Sequence, residues 1–263
     1  MKSRSVQGME NAAISSSALD LLLLLRGSEP EGLGRADQVV YQIETAILMG
    51  ILTEGDRLPT ESTLAAELGI SPITLRQSLA TLRTKGLIET SRGRSGGSVI
   101  RRQVEFSDTQ LRKKLRATST EALRDIGDLG AAIASMSARL AADRADPQNI
   151  EHLQDLAKRH QDTADERARR RVDSRFHVAV SIASQSSRLT SAALQVEAEL
   201  MTLWWGQLGP DETSVEHHAA IVDAIKNRNP EEAAIAAERH IRSGIEFLIE
   251  QHLRLTMEHG ENA

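Results

Sequence analysis

The amino-acid sequence predicts a mainly α-helical protein of two domains: three short helices closed by a small hairpin, then an all-α helical bundle. Apolar residues recur at helical spacing through most of the 263 residues, a length sufficient for two separate cores. Positive charge is uneven, since residues 57–102 carry eight Lys or Arg against three Glu while the whole chain has net charge −5. This asymmetry indicates an N-terminal unit that binds a polyanion.

Composition excludes several classes of protein. The chain has no Cys, so a disulfide framework, a thiolate metal site and a cysteine nucleophile are excluded, and we expect a cytoplasmic protein. The apolar run at residues 19–25 is too short to span a membrane and lacks the features of a secretion signal, so no membrane partner is expected. Residues 1–34 are rich in Ser, Gly and Glu and predict a flexible tail with one short helix docking on a neighbour.

Residues 35–102 predict a DNA-binding domain that begins with two helices. Apolar positions recur every three or four residues between 35 and 52, which favours an amphipathic first helix. Thr60 can cap a second helix, and Gly69 supplies the usual stop. A third helix should begin at Ser71, followed by Pro72 at a position that needs no amide hydrogen.

The third helix is expected to have a core side and a reading side. Leu75, Leu79 and Leu82 share one face, which leaves Thr74, Arg76, Gln77 and Arg83 toward solvent. After Gly86 the alternating LIETS, the turn RGRSGG and the extended SVIRR predict a hairpin. Three helices and a hairpin form a winged helix-turn-helix, whose third helix fits the DNA major groove.

The stretch GDRLPTESTLAAELGISPITLRQSLATLRTKGLIETSRGRSGGSVI resembles the DNA-binding domain of the GntR family of bacterial transcription regulators. In that family the third helix enters the major groove and the wing tip approaches the minor groove of double-stranded DNA. Ser62 and Pro72 stand where relatives commonly have Arg, so the operator sequence does not follow from the resemblance. The alternative is a winged unit reused for protein contacts. The expected DNA-binding residues are Thr74, Arg76, Gln77, Arg92, Gly93 and Arg94.

The remaining chain predicts a linker at residues 103–118, a helical domain of about six helices at 119–251, and a C-terminal tail at 252–263. Turn signals fall where helices should end, at Asp146-Pro147, at 206–210 and at Asn229-Pro230. Asn229 followed by Glu232 predicts a well-capped final helix.

The chemistry of the helical domain lies in its histidines. Asp173 and His177 are four residues apart in RVDSRFHVAVSIAS, so a helix places both on one face. His218 and His240 lie in two further amphipathic segments. If these helices line one interior, a carboxylate and three imidazoles converge and can bind zinc, nickel or another divalent transition ion. Taken singly, each histidine is more often a surface residue or a hydrogen-bonded core residue.

The segments VDSRFHVAVSIAS and HHAAIVDAIKNRNPEEAAIAAERHI resemble the FCD effector domain of the FadR-like branch of the GntR family. The resemblance implies that Asp173, His177, His218 and His240 hold a metal whose shell a small carboxylate effector completes. His217 is adjacent to the expected ligand, but the motif spacing selects His218. The branch also contains members without the metal, some of which bind acyl chains, and that type of regulator is the alternative.

Two departures leave the effector open. Gly130 and Ala131 stand where relatives often have an Arg that can pair with an effector carboxylate, so small residues there could enlarge the pocket. Trp204 and Trp205 could line it, although aromatic residues are more often core or interface.

The expected function is a homodimeric regulator, a repressor, that binds a pseudo-palindromic operator under control of a small-molecule effector. The rivals are a metal-dependent hydrolase, for which no HExxH signature is present, and a purely structural zinc site.

Overall fold

The computed structural model of the protein describes residues 14–27, 29, 32–91, 97–104, 106–204 and 212–260. The chain divides into two compact units, Met1–Val104 and Glu105–Ala263. In the described part of the chain, no helix combines the length and the hydropathy needed to cross a membrane.

The described residues of the first unit form four helices and a two-stranded antiparallel sheet. Thr60 caps the third of these helices, Gly69 ends it with φ +61°, and Ser71 with Pro72 starts the fourth, as the sequence predicts. The buried face of this fourth helix carries Leu75, Leu79 and Leu82. The elements are α1 (Ser16–Leu24), α2 (Arg35–Leu48), α3 (Glu61–Leu68), α4 (Pro72–Thr84), β1 (Ile88–Ser91) and β2 (Gly97–Ile100).

Strands β1 and β2 form the predicted hairpin. Ile88 pairs with Ile100, and Ser91 pairs with Gly97. The turn between the strands, which contains the predicted wing residues Arg92, Gly93 and Arg94, lies outside the described residues.

Helix α1 lies in residues 1–34, where the sequence predicts a flexible tail with one short helix docking on a neighbour. Leu22 and Leu25 are fully buried, α1 packs against α2, and the Arg26 guanidinium donates a hydrogen bond to the Leu68 carbonyl. The end of the 1–34 segment that carries α1 is therefore part of the first unit, because its leucines have a core to enter.

The second unit is all-helical in its described part. The turn signal at Asp146-Pro147 separates two helices, and Asp146 caps the second of them. The Asn229 side chain accepts a hydrogen bond from the Glu232 amide at the start of the final helix, as predicted. The helices are α5 (Asp108–Ala117), α6 (Thr120–Arg144), α7 (Pro147–Asp162), α8 (Glu166–Ala183), α9 (Ser187–Leu200), α10 (Glu212–Lys226) and α11 (Pro230–Gly260).

The structure differs from the expected linker and C-terminal tail. Most of residues 103–118 forms α5, whose Leu115 is fully buried and whose Leu115 carbonyl lies 3.0 Å from His252 Nδ1. Helix α11 continues to Gly260, with Leu255 also buried. The docking of α5 could not be predicted from its sequence, because the helix is mostly polar and only one of its leucines is fully buried.

Close packing of α6 on α11 and α9 depends on glycine. A Cβ atom on Gly127 would lie 2.7 Å from Ile245 Cγ2, and one on Gly130 would lie 3.3 Å from Val196 Cγ1 and 3.4 Å from Ile241 Cγ2. The small residues of α6 therefore allow the helices to approach closely, and Gly130 also lines a small cavity of about 20 Å³. This packing fixes the position of α11, which carries His240.

Candidate functional site

The reading side of α4 carries Thr74, which is half-buried, and Arg76 and Gln77, which are exposed. The Ser71 hydroxyl accepts a hydrogen bond from the Thr74 amide, which fixes the start of the helix. Arg76 Nε donates a hydrogen bond to Glu61 Oε2 at 2.9 Å. The free protein thus holds the guanidinium beside α3.

Ile73 is an exposed residue of α4 that the sequence reasoning did not single out. Its side chain is 68% exposed, although it is large and apolar. It follows Pro72 at the start of the helix, next to the predicted DNA-binding residues.

The four predicted metal ligands come together in the second unit. Asp173 and His177 lie one turn apart on α8, while α10 supplies His218 and α11 supplies His240. One ligand atom from each residue lies within 4.8 Å of all the others. Asp173 Oδ1 lies 3.2 Å from His218 Nε2 and 3.8 Å from Nε2 of both His177 and His240.

The buried ring of His218 tests whether this set suits a metal. The side chain is fully buried against Phe176, with ring centroids 4.2 Å apart. Its contact with Asp173 lacks the angular geometry of a hydrogen bond, so neither ring nitrogen has a hydrogen-bond partner among the described residues. A buried polar atom without a partner is costly. A bound cation would satisfy one nitrogen, and the one-carboxylate, three-imidazole set is one that zinc and nickel accept.

The protonation states suit a cation as well. Burial lowers the pKa of His177 to about 4, against the opposing charge of Asp173, and burial also lowers the pKa of His240. Burial alone would raise the pKa of the Asp173 carboxyl, but His218 and the adjacent imidazoles hold it well below its ordinary value. Near neutral pH His177 and His240 are therefore neutral and Asp173 is ionised, which is the form in which each binds a metal.

His160 on α7 is a fifth polar residue at this centre, and the sequence reasoning missed it. The side chain is buried, and its Nε2 lies 3.8 Å from Asp173 Oδ1. Its ring meets that of His218 edge-on, with centroids 4.6 Å apart. No motif spacing marks His160, because it approaches from another helix.

A cavity of about 350 Å³ opens beside the candidate metal ligands. Asp173, His177 and His240 line one part of it, together with Arg170 and Glu197. Burial raises the pKa of the Glu197 carboxyl to about 8, and the nearby charge of Asp173 acts in the same direction. The apolar part of the wall includes Trp204, Ile245 and Phe247.

Several sequence expectations concern this cavity. Trp204 lines it and packs near Phe247, with ring centroids 6.1 Å apart, whereas Trp205 lies outside the described residues. His217 also lines the cavity, with its ring centroid 5.7 Å from that of His240, but it is not part of the four-residue cluster.

A winged helix-turn-helix unit joined to a helical unit with a ligand-sized cavity defines a transcription regulator with an effector domain. Comparison with known proteins gives the family. Residues 35–97 match the bacterial regulatory proteins of the gntR family, and residues 125–243 match the FCD domain.

Individual relatives agree with this class. The HTH-type transcriptional regulator RmpR of Mycobacterium gastri is 36% identical over 227 residues, covering 84% of this chain and 82% of the relative. The Glc operon transcriptional activator of Escherichia coli K12 is 31% identical over 222 residues, covering 78% of this chain and 85% of the relative. The chain belongs to the GntR family and is a transcription regulator with an FCD effector-binding domain, not an enzyme.

Among solved structures, the protein titled E. coli McbR/YncC shares the fold, with TM-score 0.52 and 18% identity over 84% of this chain and 99% of that one. This likeness supports the mainly α fold predicted from the sequence.

Proposed function

We propose that the protein is a homodimeric repressor that binds a pseudo-palindromic operator and is controlled by a small carboxylate effector at a metal site in the helical unit. The observation that carries the proposal is the convergence of Asp173, His177, His218 and His240 beside a cavity large enough for a small ligand. These four residues would hold the metal, zinc or nickel, which would supply an open position for an effector oxygen.

The DNA-binding part of the proposal depends on α4. Arg76 and Gln77 are exposed on the side opposite the leucine face, where side chains can reach base edges in the major groove. To bind DNA, Arg76 would have to give up its ion pair with Glu61. This pair is exposed to solvent, so its loss costs little free energy. Thr74 lies on the same side, and Arg92, Gly93 and Arg94 would contact DNA from the wing.

The homodimer follows from the symmetry of the expected operator, since two winged units bind two half-sites. Helix α6 offers an apolar surface for self-association. Leu129 and Met136 are 55% and 45% exposed and lie seven residues apart, which places them on one face.

We expect the dimer to have two arrangements, one that binds DNA and one that does not. The effector would act by binding one of them more tightly than the other, because a ligand with equal affinity for both does not change their populations. The direction of regulation is a separate question, since the Glc operon relative is an activator. The alternative is a regulator that binds an acyl chain and no metal. The apolar wall of the cavity at Trp204, Ile245 and Phe247 favours this alternative.

The first experiment measures the metal content of protein purified without a histidine tag, together with binding to an operator selected from random DNA. We expect about one transition metal per chain. Absence of bound metal after zinc or nickel is added back, with DNA binding retained, would contradict the metal site and favour the acyl alternative.

A second experiment tests the DNA interface by comparing the operator affinity of Arg76→Ala with that of Arg242→Ala at one salt concentration. The two arginines are matched, because each is exposed and Arg242 Nε also donates to a glutamate, Glu238, at 2.8 Å. We expect Arg76→Ala to weaken operator binding by about 10-fold or more, as loss of a base or phosphate contact does. Equal affinity of both variants would remove Arg76 from the interface.

A further inference from the structure

Arg170 is a largely buried cation that lines the proposed effector cavity, and the sequence reasoning did not single it out. It lies on α8, one turn before Asp173, and its side chain is only 12% exposed. The inference below rests on the metal site of the proposed function and asks which group of this chain would bind the effector carboxylate.

The position where relatives often have a carboxylate-binding Arg cannot supply one here. Gly130 and Ala131 occupy this position and carry no charged group, and a Cβ atom on Gly130 would already make tight contacts with Val196 and Ile241, at 3.3 and 3.4 Å. Ala131 next to it is buried. A carboxylate in the cavity must therefore find its cation on another helix.

The surroundings of Arg170 leave its donors available. The guanidinium carbon lies 3.7 Å from the centroid of the Trp204 ring, which holds the group in place by its face. Its nearest acidic atom is Asp173 Oδ2 at 3.9 Å, beyond hydrogen-bond distance. Glu197, which lines the same cavity, and Glu166 also act on Arg170 through their charge, but Arg170 makes no hydrogen bond in the described part of the chain.

A buried guanidinium with five N–H donors needs acceptors. Asp173 serves it only in part, because the oxygen that faces Arg170, Oδ2, lies 3.9 Å away, and Oδ1 faces the candidate ligand histidines and would bind the metal. An anion in the cavity would supply the remaining acceptors, and a carboxylate matches the planar fork of Arg in bidentate fashion.

We propose that Arg170 of α8 binds the effector carboxylate, in place of the arginine missing from α6. The carboxylate would lie between the guanidinium and the metal ligands, and the rest of a small effector would occupy the cavity along Trp204 and Phe247. Specificity for an anion thus comes from the same helix that supplies Asp173 and His177.

The test uses the full chain loaded with Co²⁺, whose visible spectrum reports changes in its coordination, and acetate as the carboxylate probe. Acetate should change the spectrum of the parent protein, while acetamide, its uncharged analogue, should not. In Arg170→Gln the spectrum without acetate should match the parent, and the acetate affinity should fall by about 10- to 100-fold, as loss of a charge-assisted contact does. Arg170→Lys keeps the charge without the fork and should be intermediate.

Arg167→Gln is the matched control, since Arg167 lies on the same helix but is exposed and paired with Asp108; it should bind acetate as the parent does. Equal acetate affinity in Arg170→Gln and the parent, or a Co²⁺ spectrum that acetate does not change, would overturn the role of Arg170 while leaving the metal site intact. A parent that does not bind Co²⁺ would overturn the proposed function itself.

Discussion

Replacing His218 with Ala tests the metal site most directly, and the neighbouring His217 provides its control. His218 Nε2 has the shortest of the three ligand-histidine distances to Asp173, 3.2 Å against 3.8 Å. Four-ligand zinc sites bind with roughly 10–16 kcal/mol in small domains. One ligand of four is therefore worth about 3 kcal/mol, which corresponds to about a 100-fold loss of zinc affinity.

Thermal unfolding with and without zinc reads out this difference. At a zinc concentration 100 times the parent Kd, bound metal stabilises the parent by about 2.7 kcal/mol, and a variant with 100-fold weaker binding gains only about 0.4 kcal/mol. For a unit of this size the shifts in Tm are roughly 5–10 °C and about 1 °C. Competition with a chromophoric chelator measures the affinities independently.

His217→Ala should keep the zinc-dependent shift, because His217 is outside the four-residue cluster. If zinc binding is lost in His217→Ala and kept in His218→Ala, then His217 is the ligand and the assignment of His218 is wrong by one residue. Loss of folding in metal-free His218→Ala would appear as a lower Tm before zinc is added, so the two effects are separable.

Three further predictions concern packing and the surroundings of the ligands. Gly127→Ala should destabilise the protein by about 1–3 kcal/mol in urea unfolding, because its Cβ would meet Ile245 at 2.7 Å; an unchanged midpoint would refute the close packing of α6 on α11. In metal-free protein the raised pKa of Glu197, about 8, means that the folded state retains a proton which the unfolded state loses above 4.5, so stability falls as pH rises through that window. Glu197→Gln should therefore stabilise the protein at pH 8 and change little at pH 4; a constant difference would contradict this. His160→Gln should weaken zinc binding by about 10-fold, as loss of a group that orients a ligand does, and a parent-like affinity would show that His160 only fills space.

The local signals of the sequence predicted local structure well. Ser71 with Pro72, and Asn229 with Glu232, start helices in the structure because capping depends only on residues within one turn. The spacing of Asp173 and His177 predicts a shared face for the same reason. The convergence of four ligands required three helices to meet, and only the family resemblance supplied that expectation.

What the sequence did not reveal depends on contacts between distant segments. Arg170 belongs to the run ERARRRV, which has the composition of a solvated charged face, but in the fold Trp204, from a distant part of the sequence, packs over its guanidinium. His160 reaches the site from α7 with no spacing rule to mark it. Helix α5 resembled a linker because Leu115 is its one fully buried apolar residue, and polar side chains make further contacts with the rest of the second unit.

Helix α11 is long enough to connect the candidate metal site with the contact that α5 makes in the second unit. His240, a candidate ligand, and His252, which contacts the Leu115 carbonyl of α5, are twelve residues apart on this one helix, or about 18 Å at 1.5 Å per residue. An axial shift of α11 at the ligand end would therefore also move His252, and with it the contact that this residue makes with α5 inside the second unit.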